Sequence, residues 1–217
     1  MKYNVVLNGP EDQLPNLKKY DGNRVLWVGA DRGAMVIIKN NLKLYAALGD
    51  FDSVSDVELK LIEEVTQFFQ RFPSEKDETD FQLILNWLLS KSDVDKINIF
   101  GWSGGRFDQF MSNISVITRK KYQAIADKIE LTDKQNWVKL LNPGKWSITP
   151  QERMKFVSFY SVSPITDIEI KDFKYELCKD KLDANIALSS NEFINNKNGK
   201  ISFGSGQIIV SQSADSK

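Results

Sequence analysis

Two aspartates one residue apart, Asp50 and Asp52, stand in the stretch Leu48-Gly49-Asp50-Phe51-Asp52-Ser53, after an apolar run and before a capped helix start. In an extended segment residues i and i+2 point the same way, so Phe51 turns to the core and the two carboxylates can share one cation. A second acidic element, Lys76-Asp77-Glu78-Thr79-Asp80, again follows an apolar run and opens a helix. Phosphate oxygens favour amides at a helix N-terminus, and Mg²⁺ favours a few carboxylates plus phosphates and waters. Two glycine-bearing turns hold the equivalent place after other runs: Gly29-Ala30-Asp31-Arg32-Gly33 and Gly101-Trp102-Ser103-Gly104-Gly105-Arg106-Phe107-Asp108. Glycine lets backbone amides approach a phosphate closely, and Arg offers a planar fork of donors. Neither turn matches the P-loop or the full dinucleotide fingerprint.

Each element also has a plain structural reading. Turn aspartates cap helices, a charged loop is solvated, and an acid such as Asp108 in a first helical turn complements the helix dipole. Jointly they say more. Four polar turns expected at one sheet edge carry Asp31, Asp50, Asp52, Asp80 and Asp108, with Lys76 and Arg106 interleaved. That set describes a metal and polyphosphate site.

The elements that must position these residues are those of an α/β domain with a largely parallel sheet, since short apolar runs alternate with helical periodicity from the start to about Lys121. Strands are expected over Tyr3 to Leu7, Val25 to Val28, Leu44 to Leu48, Gln67 to Phe72 and Ile97 to Phe100. In such sheets the carboxyl ends of the strands face the ligand crevice. Ser55 with Glu58, and Thr79 with Gln82, fit capping boxes that start helices near Asp56 and Asp80. A third helix is expected after Arg106, with Phe107, Phe110, Met111, Ile114 and Ile117 as one apolar face and an end near Lys120 and Lys121.

Beyond about Asp127 the texture becomes short β-prone pieces, among them Lys128 to Thr132, Trp137 to Leu141, Phe156 to Ser161 and Gln207 to Ser211. Turn formers separate them at Asn142-Pro143-Gly144, Asn198-Gly199 and Gly204-Ser205-Gly206, the pattern of a small antiparallel sandwich. The domain join is expected between Lys121 and Asp133, giving an α/β domain over residues 1–125 and an all-β sandwich over 126–217.

Composition narrows the chemistry. The 217 residues carry 29 basic and 29 acidic side chains, so no strong field recruits nucleic acid or membrane. No signal-peptide pattern and no run near the ~20 apolar residues that span a bilayer are present, which makes the cytoplasm the default expectation. The lone Cys178 cannot form an intramolecular disulfide and reads as a small buried hydrophobe. With no histidine, Ser-His-Asp triads, Cys-His pairs and His-ligated zinc are excluded. Carboxylates, Lys, Arg and backbone amides remain, and these hard ligands suit Mg²⁺.

Gly-Ala-Asp-Arg-Gly, Leu-Gly-Asp-Phe-Asp-Ser, Lys-Asp-Glu-Thr-Asp-Phe and Gly-Gly-Arg-Phe-Asp-Gln occur in the order and rough spacing of the thiamine pyrophosphokinases, and Ser189-Ser190-Asn191-Glu192-Phe193 resembles that family's substrate-side motif. The resemblance runs from about residue 27 to 211. It implies Mg²⁺-dependent transfer of diphosphate from ATP to the hydroxyethyl group of thiamine, with release of AMP. It also implies a homodimer whose N-terminal α/β domain binds ATP and whose C-terminal sandwich completes the thiamine pocket at the subunit interface.

By motif, Asp50, Asp52 and Asp80 are expected to hold Mg²⁺, with Asp31 in the same acidic cluster. Arg32, Lys76, Thr79 and Arg106 join Asp31 on the ATP side, and Asp108, Gln109, Ser190 and Asn191 face thiamine. Asp108 or Asp80 would accept the alcohol proton. Gln109 is a departure, since many bacterial members carry His there and others carry Gln. Trp102 and Trp146 are both candidates to stack on the substrate. Two other readings stay open: a diphosphokinase for a pterin-like alcohol, against which the Ser189 to Phe193 motif speaks, and a non-catalytic nucleotide- or thiamine-binding regulator, which predicts gaps in the acidic set.

Overall fold

The computed structural model describes residues 1–75 and 77–215, so Lys76, expected on the ATP side, lies outside the described residues. The chain divides into two compact units, Met1–Lys134 and Gln135–Lys217.

The first unit runs β1 (Lys2–Val6), β2 (Val25–Ala30), α1 (Arg32–Lys39), β3 (Leu44–Gly49), α2 (Asp56–Val65), β4 (Phe68–Arg71), α3 (Asp80–Leu89), β5 (Lys96–Phe100), α4 (Phe107–Ile117), α5 (Gln123–Ala126) and β6 (Ile129–Thr132). All six strands pair in parallel, in the order β6-β5-β1-β2-β3-β4. The apolar runs sit where expected to within two residues, because strands covered on both faces need near-continuous hydrophobic sequence. Both capping boxes are formed: the Ser55 and Thr79 side chains accept from the backbone N–H of Glu58 and Gln82, whose side chains accept in return.

The strand order reverses at β1. The chain moves outward through β2, β3 and β4 on one side, then returns to place β5 and β6 on the other. Loops leaving the carboxyl ends of β1 and β5 therefore part around a crevice, the position where open α/β sheets bind ligands. These two loops also touch: Leu7 N–H donates to Phe100 O at 2.8 Å and Gly9 N–H to Gly101 O at 3.0 Å. A Cβ at Gly9 would lie 2.3 Å from Gly101 O, so only glycine permits this approach.

Two expectations for this unit change. Helix α4 ends at Ile117, and Lys120–Tyr122 form a separate 3₁₀ turn. Its apolar residues do not share one buried face: Ile117 is buried, whereas Phe107 is 75% and Met111 46% exposed. Spacing selects a helix face but does not say what covers it. The β-prone piece at 129–132, read as the start of the second domain, pairs in parallel with β5 and belongs to the first unit.

The second unit contains β7 (Asn136–Leu141), β8 (Gly144–Ile148), β9 (Phe156–Ser161), β10 (Ile165–Lys171), β11 (Leu177–Leu182), β12 (Ala187–Glu192), β13 (Gly199–Phe203) and β14 (Ile208–Ser213). One antiparallel set pairs as β12-β9-β14-β7 and the other as β11-β10-β13-β8. Alternate residues of both sets meet in one core, with Trp137, Val157, Phe159 and Val210 from the first against Ile148, Ile168, Ile170 and Phe203 from the second. This is the expected sandwich. Cys178, expected to be buried, is exposed on β11. That strand pairs on one side only and alternates Lys and Asp, as edge strands do to resist further pairing.

The Gly9 approach is testable. Gly9→Ala forces the two crevice loops apart and should destabilise the chain by about 3 kcal/mol, the upper range for overpacking. A urea midpoint unchanged from the parent would show that the loops are not held at this distance.

Candidate active site

Asp31 is the residue around which the site is built. It occupies the N-cap position of α1, yet its side chain makes no cap bond. Its backbone is left-handed (φ 46°) and its carboxylate, 5% exposed, turns toward the end of β3. There Oδ1 accepts the Phe51 N–H at 3.0 Å. Glycine at position 49 leaves room for it, since a Cβ there would meet Asp31 Oδ1 at 1.9 Å.

This bond changes how Asp50 and Asp52 converge. The strand ends at Gly49, and Phe51 adopts φ 60° rather than the extended form assumed for an i, i+2 pair. Its ring is nevertheless in the core, stacked on Phe69 at 5.0 Å. The turn closes with Asp52 N–H donating to Asp50 Oδ1 at 3.2 Å, while Asp50 O accepts from Arg71 Nε at 3.2 Å. Carboxylate oxygens of Asp31, Asp50 and Asp52 all lie within 4.8 Å of one another. Ser55 and Thr79, not aspartates, cap the neighbouring helices. The acids are therefore not explained as caps.

Asp80, in the first turn of α3, shares a hydrogen bond with Asp31 rather than joining the tightest trio. Two carboxyls in such contact share a proton. Burial first, then Asp80 and Asp50, push the Asp31 carboxyl up to about 8, although the Phe51 N–H pulls the other way.

Beside this cluster lies a cleft of about 800 Å³, lined by Asp31, Arg32, Asp52, Thr79, Asp80, the loop at 101–106 and Gln109. Thr79 Oγ accepts the Gln82 N–H within its cap, and Arg32 Nε lies 4.0 Å from Glu11. Asp108 is exposed and does not line the cleft; Arg106 grips it through both carboxylate oxygens, Nε to Oδ1 at 3.1 Å. That guanidinium holds the Asp108 carboxyl below the usual range. Trp102, buried within that loop, is stacked on Phe110 at 5.7 Å.

Sequence reasoning missed residues 8–11, which follow β1 and form one wall. The signal was there in Asn8-Gly9-Pro10, a turn directly after an apolar run like those that were singled out.

Ser190 and Asn191 lie on β12 of the second unit. A register shift between Leu188 and Asn191 leaves Ser190 exposed at φ 59°. Asn191 is buried: Oδ1 accepts from Tyr175 N and Glu192 N, both at 2.9 Å, and Nδ2 donates to Tyr175 O at 2.7 Å. Its amide thus braces the Tyr175 segment.

A family profile described as "Thiamin pyrophosphokinase, catalytic domain" matches residues 17–129, and one described as "Thiamin pyrophosphokinase, vitamin B1 binding domain" matches 145–208. A thiamine pyrophosphokinase of Bacillus subtilis is 35% identical over 215 residues, 98% of each chain. The chain belongs to the thiamin pyrophosphokinase family. Solved members share its fold across whole chains. The Enterococcus faecalis family protein superposes with TM-score 0.90 at 29% identity, covering 100% of both chains. The Bacillus subtilis enzyme does so with TM-score 0.88 at 32%, again over 100% of both.

Membership of this family leaves the electrostatics of Asp31 to be tested. An aspartate ionises near pH 4 in an unfolded chain, and here only near 8 when folded. The unfolded state therefore loses its proton first, and folding becomes less favourable as pH rises through that window. Asp31→Asn removes the ionisation, keeps an acceptor for Phe51 N–H and tolerates the positive φ. Without divalent cation the variant should melt above the parent, by a margin that grows from about pH 5 to about pH 8. A margin independent of pH would mean that Asp31 ionises normally.

Proposed function

We propose that this chain is a thiamine pyrophosphokinase, transferring diphosphate from ATP to the hydroxyethyl oxygen of thiamine and releasing AMP. The observation that carries the reading is the trio Asp31, Asp50 and Asp52, gathered beside a cleft at the carboxyl ends of a parallel sheet in a chain that matches both family domains. The intact acidic set speaks against a silent regulator, and the match to a vitamin B1 binding domain speaks against a pterin.

The donor set fits Mg²⁺. All three ligands are hard carboxylate oxygens, and their spread of 4.8 Å is slightly wider than the ~4.2 Å across an octahedron of Mg–O bonds. Asp31, Asp50 and Asp52 would hold the ion, with Asp80 beside them. When bound, it neutralises charge on the phosphate oxygens.

The chain's own groups supply the rest. The start of α3 presents amides and the Thr79 hydroxyl toward polyphosphate, and Arg32 and Arg106 add positive charge. Transfer needs in-line placement of the thiamine oxygen on the β-phosphorus: that bond forms as the bond from the β-phosphorus to the α,β-bridging oxygen breaks, and AMP leaves with the electron pair. Asp108, held ionised by Arg106, accepts the alcohol proton, because Asp80 is already engaged with Asp31.

The active unit in this reading is a homodimer that operates in the cytoplasm, with thiamine bound where Asp108 and Gln109 of one subunit meet the Ser190 bulge of the other. Exposure of Phe107 and Met111 beside Asp108 supports a second copy covering α4. Among the described residues no helix is long and apolar enough to cross a membrane.

Chromatography of the protein mixed with MgATP and thiamine should show AMP and thiamine diphosphate in equal amounts. No AMP, or equal turnover of a pterin alcohol, would reject the assignment. Asp52→Asn should lower kcat by about a hundredfold or more, the scale for losing one charge-stabilising group, with an unchanged circular dichroism spectrum. Separately, Phe107→Ser should shift the sedimenting species from dimer toward monomer at micromolar concentration. A parent that sediments as a monomer would remove the dimer from this reading.

A further inference from the structure

The glycine-rich loop after β5 is held by a carboxylate to which the reaction assigns no part. Asp133 directly follows β6, is 4% exposed, and accepts the Ser103 hydroxyl at 2.5 Å; Ser103 itself is 8% exposed. A serine has one proton to donate. With that proton on Asp133, Ser103 cannot donate to a ligand, although it lines the cleft. Any influence of this pair on ligand binding must run through the backbone.

The backbone that it fixes is an unusual one. Gly101, Gly104 and Gly105 have φ of 66°, 77° and 66°. In a tight turn that includes such residues, as at Gly104 and Gly105, successive N–H groups can form a concavity that suits anions. Glycine reaches this shape without strain but loses the most entropy when held in it. Something must therefore restrain the loop.

Three bonds anchor its first half. Gly101 O accepts from Gly9 N–H at 3.0 Å, Trp102 O accepts from Asn113 Nδ2 at 2.8 Å, and Ser103 is tied to Asp133. The next residue, Lys134, donates its N–H to Gln13 O at 3.0 Å. Gln13 continues the other cleft wall and packs near Gly104, its Cγ 3.1 Å from where a Cβ would stand. One corner at the end of β6 thus braces both loops that flank the crevice.

We infer that Ser103 and Asp133 are a positioning pair for nucleotide binding: they fix the first half of the loop so that the amides at 104–106 meet the polyphosphate already arranged. This rests on the nucleotide being ATP, as proposed above. A buried carboxylate suits the task because a hydroxyl bonded to a charged acceptor is held roughly twice as strongly as one bonded to a neutral one. Its place on β6 gives the anchor a fixed strand rather than another loop.

The test uses the full chain and α,β-methylene-ATP with Mg²⁺, whose binding is read by calorimetry without turnover, alongside KM for ATP and thiamine. Ser103→Ala should weaken analogue binding and raise the KM for ATP by about five- to tenfold, the scale for losing a charge-assisted hydrogen bond. The KM for thiamine should stay within about twofold. Ser103→Thr, which keeps the hydroxyl, should recover most of the lost affinity. Asp133→Asn keeps an acceptor without the charge and should fall between the parent and Ser103→Ala.

Should Ser103→Ala bind the analogue like the parent, or should affinity for both substrates fall together with melting temperature, the pair is only structural and the inference is overturned. A parent that fails to bind the analogue overturns it as well. Because binding is measured apart from product formation, a parent that binds the analogue but makes no AMP rejects the activity and leaves the positioning result readable.

Discussion

The hydrogen bond from Phe51 N–H to the buried carboxylate of Asp31 is the constraint on which the site depends. It draws the turn after β3 onto the end of β2, leaves Phe51 left-handed and sends its ring into the core against Phe69. Positive-φ backbone at Asp31 and Phe51 costs about 1–3 kcal/mol each. The hydrogen bond to Asp31, about 0.5–1.5 kcal/mol net, and burial of one aromatic ring, about 1.5–3 kcal/mol, offset it. With both strained residues held, Asp50 and Asp52 have little freedom to part. The acidic cluster is built before any cation arrives, and the Asp31 carboxyl is raised first by its burial and then by its acidic neighbours Asp80 and Asp50.

The same logic governs the cleft. Reversal of strand order at β1 opens a crevice between β1 and β5, and the backbone bonds from Leu7 and Gly9 to Phe100 and Gly101 keep it narrow at its base. Charge then enters from three directions: the Asp31 cluster after β2 and β3, the N-terminus of α3, and the Arg106 loop after β5. A polyanion bridged by a cation satisfies all three, whereas either sign of charge alone would leave one wall unmatched.

The second unit contributes a different kind of order. Its sandwich core is built from apolar residues of both sheets, and one group of polar side chains is organised where the pairing of β12 with β9 shifts register. The bulge before Asn191 exposes Ser190, and the Asn191 amide holds the Tyr175 segment through two backbone bonds. An asparagine that satisfies a neighbouring backbone stretch can shape a binding surface without touching what binds there.

What the sequence determined by itself was local. Apolar runs set the strands, Ser55 and Thr79 with their partners set two helix starts, and the motifs placed Asp31, Asp50, Asp52, Asp80 and Arg106 at strand ends, because each of these follows from neighbours within a few residues. Weakly patterned strands such as β11 and β12 were not legible, since polar edge residues carry no alternation to read. Tertiary structure decided everything that joins distant segments. It put β5 beside β1, made Asp31 rather than Asp80 the third member of the tightest trio, left Phe107 and Met111 exposed on a helix that spacing alone would bury, and set Asp133 under the glycine-rich loop. Those outcomes depend on which strands pair and which backbone groups need a partner after they do, and neither is written in the spacing of residues along one segment.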